Sequence, residues 1–195
     1  MKYKRAAVSL AQSIWKGVLS YGDTAIDATC GRGHDSAFLA SLILTGQSAG
    51  WLHCCDIQSE AIADTKELLE QQGYKDRVSY HLGSHESFKV LGITESSSIK
   101  CIVYNLGYLP KGNKKIITCP LSTLLSLRNA ECLLQPGGML SITAYRGHLG
   151  GKEEYDAVSK FMESLNTAQW TTNKYFTGQS ETAPVLFTAQ KKISE

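Results

Sequence analysis

The chain has 195 residues, a formal net charge of +2 and a hydrophobic fraction of 43%. These values are typical of a globular protein, and we expect a single domain over residues 1–195 with a sizeable core. The small net charge does not by itself indicate a nucleic-acid binder. No apolar run reaches the roughly 18 residues that a membrane-spanning helix needs, so we expect no membrane partner.

The six cysteines indicate neither a disulfide framework nor a metal site. None belongs to a Cys-x-x-Cys pair, so we expect no metal, and reduced thiols are the expected state in a chain of this length. No continuous apolar block follows the basic start of the chain, so we expect no secretory signal peptide. We expect a cytoplasmic protein, or a chloroplast or mitochondrial one if a transit peptide has been removed.

The first elements predict how the domain begins. Apolar spacing over residues 5–19 predicts an amphipathic helix within an N-terminal helical segment, residues 1–22. Residues 24–28 predict a buried strand, a glycine turn ends it, and the run 36–44 predicts the next helix. This order is typical of the opening unit of a doubly wound α/β domain.

Strands and helices then alternate along the rest of the chain. The predicted strands are 50–55, 78–82, 99–104, 139–144, 170–176 and 185–190, and the predicted helices are 59–72, 120–134 and 152–165. We expect a sharp turn at 135–138, between a helix and the fifth strand. The alternation predicts a three-layer α/β/α domain around a seven-stranded sheet.

Two carboxylates follow the first two strands. Asp27 precedes the turn that contains Gly31 and Gly33, whose lack of a Cβ allows a ligand to approach the backbone. Asp56 ends the second strand, where a carboxylate can accept both hydroxyls of a ribose. Ser36 stands where a nicotinamide-binding turn has its third glycine, so the pattern departs from dinucleotide binding.

The segment after the fourth strand predicts an acceptor site. Asn105-Leu-Gly-Tyr-Leu-Pro resembles the Asn-Pro-Pro-Tyr element of methyltransferases that act on amino nitrogens. The amide oxygen of Asn105 can accept a hydrogen bond from an amine and aim its lone pair at a sulfonium methyl group. Gly107 and Tyr108 of the same segment are candidate substrate contacts, and Tyr108 can stack on a base.

A third segment follows the fifth strand. Tyr145 and His148 come to the same sheet edge, where the histidine can remove a proton from an amine or hold a substrate oxygen. Arg146 and Gly150 are candidate substrate contacts, and Gly150 also allows a tight turn. The basic residues Lys4 and Arg5, together with three lysines of one loop, can meet RNA phosphates or form a solvated face. These loop lysines are Lys111, Lys114 and Lys115.

Together these motifs resemble one family over most of the chain. They are Asp27-Ala-Thr-x-Gly-x-Gly-His-Asp, Asp-Ile-Gln, Ser-His-Glu, Asn-Leu-Gly-Tyr-Leu-Pro-x-Gly-Asn-Lys, Pro-Gly-Gly and Tyr-x-Gly-His-x-Gly-Gly-x-x-Glu154. The chain is similar to the rRNA methylase family, also called YtqB- or MnmM-like, among the class I S-adenosylmethionine-dependent methyltransferases. The resemblance implies a Rossmann-like fold whose last strand is antiparallel.

The resemblance also implies a reaction. Members methylate the 5-aminomethyl group of 2-thiouridine at the wobble position of tRNA, giving the 5-methylaminomethyl form and S-adenosyl-L-homocysteine. The implied partner is tRNA through its anticodon stem-loop, bound by a monomer or a homodimer. The implied cofactor contacts are Asp27, Thr29, Gly31, Gly33, His34, Asp35, Asp56, Gln58, Ser84, His85 and Asn105.

Two other classes of function stay open at this stage. One is an rRNA methyltransferase, or a methyltransferase of the same fold that acts on a small molecule or a protein. The other is a cofactor-binding module without catalysis, against which the intact Asn105–Tyr108 segment argues.

Overall fold

Seven strands and five helices alternate in the computed structural model, which describes residues 2–46, 50–94, 98–109, 112 and 116–193, with side chains from residue 5 onward. The helices are α1 (Lys2–Val18), α2 (His34–Ile43), α3 (Ser59–Gln71), α4 (Pro120–Leu133) and α5 (Gly151–Ser164). The strands are β1 (Thr24–Asp27), β2 (Trp51–Asp56), β3 (Val78–Leu82), β4 (Ile99–Leu106), β5 (Leu134–Ala144), β6 (Trp170–Phe176) and β7 (Val185–Lys191).

The strands form one sheet in the order β3-β2-β1-β4-β5-β7-β6. Strands β1 to β5 pair in parallel, whereas β7 runs antiparallel to both β5 and β6. The expected mostly parallel sheet with an antiparallel last strand is therefore confirmed. The chain first adds strands on one side of β1 and then returns to the other side with β4. This reversal creates a switch point between β1 and β4, where open α/β sheets bind ligands.

Helices cover both faces of the sheet and bury two apolar clusters. On one face, Trp15 of α1, Leu39 of α2 and Leu69 of α3 pack together with the strands. On the other face, Leu127 of α4 and Phe161 of α5 belong to the second cluster. The three-layer α/β/α prediction is confirmed, and the sheet separates the two helix layers.

Two boundaries differ from the sequence prediction because strand pairing continues further than the apolar pattern. β4 extends through Asn105, which pairs with Thr143 of β5, so this residue lies in a strand and not in the following loop. β5 begins directly after α4 at Leu134, where a turn was expected. The segment with Gly137, whose φ is 75°, forms an irregularity in the β4–β5 pairing instead of a separate turn.

No helix within the described ranges is long and apolar enough to cross a membrane. No disulfide joins the six cysteines, all of which lie in the described ranges, and Cys30, Cys54, Cys55 and Cys101 are buried. Burial raises the pKa of the Cys30 thiol, in the turn after β1, far above its usual range, which disfavours the thiolate that a nucleophile would need.

Candidate functional site

A cavity of about 1000 Å³ opens at the carboxyl ends of the strands beside the switch point. Its wall contains most of the residues that the sequence predicts for the site. These are Thr29, Gly31, His34, Asp35, Asp56, Gln58, Ser84, His85, Asn105, Gly107, Tyr108, Tyr145 and His148. The fold therefore brings the segments after β1, β2, β3, β4 and β5 around one space.

Asp27 lies behind this wall, fully buried at the end of β1. Its Oδ1 accepts a hydrogen bond from the Thr29 backbone N–H at 3.3 Å, and its Oδ2 accepts one from the Ser36 hydroxyl at 2.7 Å. The carboxyl group thus joins the turn to the first turn of α2. Asp27 therefore stabilises the conformation of the turn and does not itself line the cavity.

Gly33 also lies outside the cavity wall, at a position where a side chain would not fit. Its φ is 79°, and an added Cβ would lie 2.8 Å from the Cα of Thr65 on α3. The Thr65 hydroxyl donates to the Gly31 carbonyl at 3.1 Å. A glycine at 33 therefore allows α3 to pack directly against the turn.

Asp56 connects the two turns that meet at the switch point. Its Oδ2 accepts the Gly31 backbone N–H at 3.1 Å, and its Oδ1 accepts the Gln58 backbone N–H at 3.0 Å. A carboxylate can accept about four hydrogen bonds, so both oxygens keep lone pairs for a ligand. This arrangement fits the predicted ribose contact.

The acidic groups make this end of the cavity favourable for a cation. Burial, followed by repulsion from Asp35, raises the pKa of Asp27 to about 7. Burial likewise raises the pKa of Asp35 and of Asp56. The negative charge of Asp35 and Asp56 is costly to bury, and a positively charged ligand beside these two cavity-lining groups would offset that cost.

The segment after β3 carries a polar atom that is buried without a protein partner. His85 is 7% exposed, and its Nδ1 has no hydrogen-bond partner among the described residues. Burial lowers the pKa of this imidazole to about 4, so the ring is neutral at physiological pH. Its edge-to-face contact with Tyr104, with ring centroids 5.7 Å apart, holds the ring beside the cavity.

Asn105 occupies the centre of the site with a fixed amide. Its backbone N–H donates to the Thr29 hydroxyl at 2.7 Å, which fastens the end of β4 to the turn after β1. Its side-chain Nδ2 donates to Asp35 Oδ2 at 2.6 Å, and Asp35 Oδ1 accepts from Gln12 of α1 at 3.1 Å. Within the described part of the chain, Asn105 Oδ1 makes no hydrogen bond and is left for a ligand.

A buried carboxylate holds the segment that follows Asn105. Glu154 on α5 is 1% exposed and accepts hydrogen bonds from the hydroxyls of Thr118, at 2.7 Å, and Thr123, at 2.6 Å. The Thr118 hydroxyl accepts in turn from the Gly107 backbone N–H at 2.8 Å. Glu154 thereby connects α5 to both ends of the loop between β4 and α4.

The His148 ring packs between Gly107 and Gly151. Its Nδ1 is 2.9 Å from the Leu149 carbonyl oxygen, which can only accept, so Nδ1 carries the hydrogen of this bond. Nε2 is buried without a partner among the described residues, and a Cβ on Gly107 or Gly151 would lie 3.3 or 3.0 Å from it. The ring also meets Tyr108 edge to face, with centroids 5.7 Å apart.

Tyr145 lies on the same side of the cavity as His148. Burial, followed by the negative charge of Asp35, raises the pKa of its hydroxyl to about 12. The phenol is therefore protonated at neutral pH and can donate a hydrogen bond but cannot act as a base.

Two residues that were predicted to contact the substrate do not line the cavity. The Arg146 guanidinium donates to the carbonyls of Ala183 and Ser180 and lies 5.1 Å from the centre of the Tyr155 ring. Arg146 does not line the cavity but positions the segment before β7, which does. Gly150 is outside the wall as well, where it precedes α5 with a φ of 79°.

The predicted phosphate contacts fall mostly outside the described part of the chain. Lys111, Lys114 and Lys115 lie outside the described residues, and so does the side chain of Lys4. Arg5 of α1 lines the cavity. Arg32 forms ion pairs with Glu60 and Asp64 of α3.

Sequence reasoning missed several parts of the wall. They include Val8 and Ser9 beside the predicted Arg5 on α1, the residues 116–118 and Ser122 around the start of α4, and the segment 182–184 before β7. None of them carries a motif. The only sign in the sequence that α1 borders the site is the set of polar residues along one face of this helix. A helix that only packed on the sheet would not need a polar residue such as Gln12 at that place.

Comparisons with known proteins identify the family of the chain. The family model described as "Putative rRNA methylase" matches residues 52–190. A protein of Arabidopsis thaliana named tRNA (mnm(5)s(2)U34)-methyltransferase, chloroplastic, is 36% identical over 188 residues, which are 94% of this chain and 68% of that protein.

Solved structures give the same result. A "putative rRNA-methylase" from Clostridium thermocellum is 33% identical, with a TM-score of 0.87 over 95% of this chain and 97% of that one. A "putative methyltransferase" from Streptococcus mutans, solved in complex with SAH, is also 33% identical, with a TM-score of 0.82 over 94% of this chain and 97% of that one. By its family match, its relative and its fold, the chain belongs to the rRNA methylase family of methyltransferases.

Proposed function

We propose that this protein transfers a methyl group from S-adenosyl-L-methionine to the amino nitrogen of 5-aminomethyl-2-thiouridine at the tRNA wobble position, position 34. The products are the 5-methylaminomethyl nucleoside and S-adenosyl-L-homocysteine. The observation that carries the proposal is the fixed amide of Asn105, whose Oδ1 is left for a donor beside a cavity that favours a cation. The name of the Arabidopsis relative and the SAH in the Streptococcus structure support it.

The residues present fit this cofactor. S-adenosylmethionine has a positively charged sulfonium, which the carboxyls of Asp35 and Asp56 would stabilise, whereas the pyrophosphate of a dinucleotide would meet repulsion there. Asp56 would hold the ribose, and the unpartnered Nδ1 of His85 fits the polar edge of an adenine. When bound, the cofactor supplies an electrophilic methyl group.

Asn105 would orient the acceptor. Its Oδ1 would accept an N–H of the neutral amine and leave the nitrogen lone pair free for methylation. The new bond from nitrogen to the methyl group would replace the bond of that group to sulfur, and the proton that nitrogen then releases would pass to solvent. Most of the acceleration would come from this positioning, because a sulfonium methyl is already a good electrophile.

His148 would position the substrate side of the site rather than take the proton. The Nε2 of His148 is buried between Gly107 and Gly151. The Tyr145 hydroxyl, whose pKa is about 12, stays protonated at neutral pH. The ring supports Tyr108, which would stack on the uridine base.

The size of the cavity is compatible with two ligands. Small-molecule sites typically measure about 300–1,000 Å³, and a volume of about 1000 Å³ at the upper end leaves room for a nucleotide beside the cofactor. An anticodon loop presents its bases unpaired, so the wobble uridine can enter without breaking a base pair. Arg5, together with Lys4 and the loop lysines, would hold phosphates of the anticodon stem-loop. Either a monomer or a homodimer would suit this role.

We propose the cytoplasm as the compartment. The Arabidopsis relative is named chloroplastic, which favours an organelle as the alternative.

The test is single-turnover methylation of tRNA that carries the aminomethyl group, followed by mass spectrometry of the wobble nucleoside. Asn105→Ala should lower the rate at least about tenfold and leave cofactor affinity within about twofold, because Asn105 acts on the acceptor. Asn173→Ala, at an exposed position of β6, is the matched control. A normal rate in Asn105→Ala would contradict the amine-orienting role.

The family description favours rRNA as a second candidate substrate. Tritium transfer from S-adenosylmethionine into separated tRNA, rRNA, protein and metabolite fractions distinguishes the candidates. Label confined to rRNA, to protein or to metabolites would refute the tRNA assignment.

A further inference from the structure

We infer that Gln12 of α1 is a positioning residue for methyl transfer, which acts through Asp35 to keep the amide oxygen of Asn105 turned toward the acceptor amine. The inference rests on the proposed function, because it concerns how the amine-orienting group is itself oriented. It gives α1 a role in the reaction beyond packing on the sheet.

The three side chains form a continuous chain of hydrogen bonds from α1 to the end of β4. Gln12 Nε2 donates to Asp35 Oδ1 at 3.1 Å, and Asn105 Nδ2 donates to Asp35 Oδ2 at 2.6 Å. Both contacts are partly buried, and they join residues that are 23 and 70 positions apart in the sequence. Asp35 and Asn105 line the cavity, whereas Gln12 stands behind them.

The chemistry of the carboxylate determines which way the Asn105 amide faces. An ionised carboxylate only accepts hydrogen bonds, so Asn105 must present its NH₂ to Asp35 and its carbonyl oxygen to the cavity. With an amide or a protonated acid at position 35, either orientation of the Asn105 amide could be satisfied. The NH₂ group would then face the amine in part of the molecules, and a donor cannot hold an amine N–H.

Gln12 has two effects on this arrangement. It occupies one oxygen of Asp35, which leaves the other for Asn105, and it donates to the charged form of the acid. Other groups near Asp35 are Asp27 on β1, His34 at the start of α2 and Tyr145 after β5. Burial raises the pKa of Asp35 above its ordinary value, and the hydrogen bonds from Gln12 and Asn105 oppose that rise.

The neighbours of Gln12 on α1 show that packing alone does not explain a glutamine here. Ala11 and Trp15 are buried at 2% exposure each and hold the helix on the sheet. Gln12 is half-buried and donates to Asp35, and an apolar residue at this position could not donate to a carboxylate. Ser13, the next residue, is exposed.

The experiment is a double-mutant cycle on the single-turnover rate of tRNA methylation at saturating cofactor, using Gln12→Ala, Asp35→Asn and the double variant. Calorimetry of S-adenosylmethionine binding and thermal unfolding are measured on the same proteins, and Ser13→Ala is the matched control on α1. We expect Gln12→Ala to lower the methylation rate about five- to tenfold with cofactor affinity within about twofold of wild type. The double variant should be no slower than Asp35→Asn alone, because Gln12 acts only through Asp35.

Losses that multiply in the double variant, or a wild-type rate in Gln12→Ala, would overturn the inference. A decrease in cofactor affinity or unfolding temperature that accounts for the whole rate loss would also overturn it, because that result would show a merely structural role. If the wild-type protein itself does not methylate the tRNA amine, the proposed function fails, and the two failures are therefore distinguishable.

Discussion

Asp27 allows a quantitative prediction, because it is a fully buried acid whose pKa is raised to about 7. In the unfolded chain this group titrates near its ordinary value of 3.8. The folded protein therefore holds a proton that the unfolded chain releases. The stability that this proton provides is complete below about pH 4 and is lost as the pH rises through about 7.

The magnitude follows from the size of the shift. A difference of about three pH units, at about 1.4 kcal/mol per unit, corresponds to about 4 kcal/mol over the whole range. About 2.5 kcal/mol of this loss should fall between about pH 5 and about pH 8. The pKa values of Asp35 and Asp56 are also raised, so they contribute in the same direction.

Asp27→Asn should remove this contribution and flatten the dependence of the unfolding free energy on pH. Asparagine keeps the size of the side chain, and its amide can serve both present partners: the oxygen accepts from Thr29 N–H, and the NH₂ donates to the Ser36 hydroxyl. Urea unfolding at a series of pH values, followed by tryptophan fluorescence, measures the difference. Asp76→Asn, at an exposed position, is the control. If Asp27→Asn and the wild type lose stability equally between about pH 5 and about pH 8, Asp27 does not hold the proton.

Two further predictions concern the ligands. Asp56→Ala should weaken S-adenosylmethionine binding at least about tenfold, measured by calorimetry, because two ribose hydroxyls lose an acceptor worth about 1–3 kcal/mol; unchanged affinity in a folded variant would contradict the ribose contact. Replacing Lys111, Lys114 and Lys115 together should weaken binding to the anticodon stem-loop and make it less dependent on salt, measured by fluorescence anisotropy. If neither the affinity nor its salt dependence changes, these lysines form only a solvated face.

The sequence predicted the architecture because strand and helix periodicity is a local property. The alternation of elements, the glycine turn and the acid at the end of β2 are all contiguous patterns. The end of β4 was predicted too early because Asn105 is polar, yet its pairing with Thr143 keeps it in the strand. A polar residue at a sheet edge gives no local sign of such pairing.

The site was predicted less completely, because contacts between distant segments have no local signature. Asp27 precedes the turn in the sequence but lies beneath it in the structure, since its carboxyl joins Thr29 and Ser36. Arg146 follows a strand that ends at the site, yet its guanidinium turns to the segment before β7. The contact between Gln12 and Asp35 requires α1 to cross the sheet beside α2, which no motif encodes.

The two helix layers hold different segments of the site, and this affects which substitutions act on which segment. The turn after β1 depends on α2 and α3 through Ser36 and Thr65, whereas the loop after β4 depends on α4 and α5 through Thr123 and Glu154. Because the sheet stands between the layers, we expect substitutions in α4 or α5 to shift the loop after β4 while the turn after β1 keeps its contacts with α2 and α3.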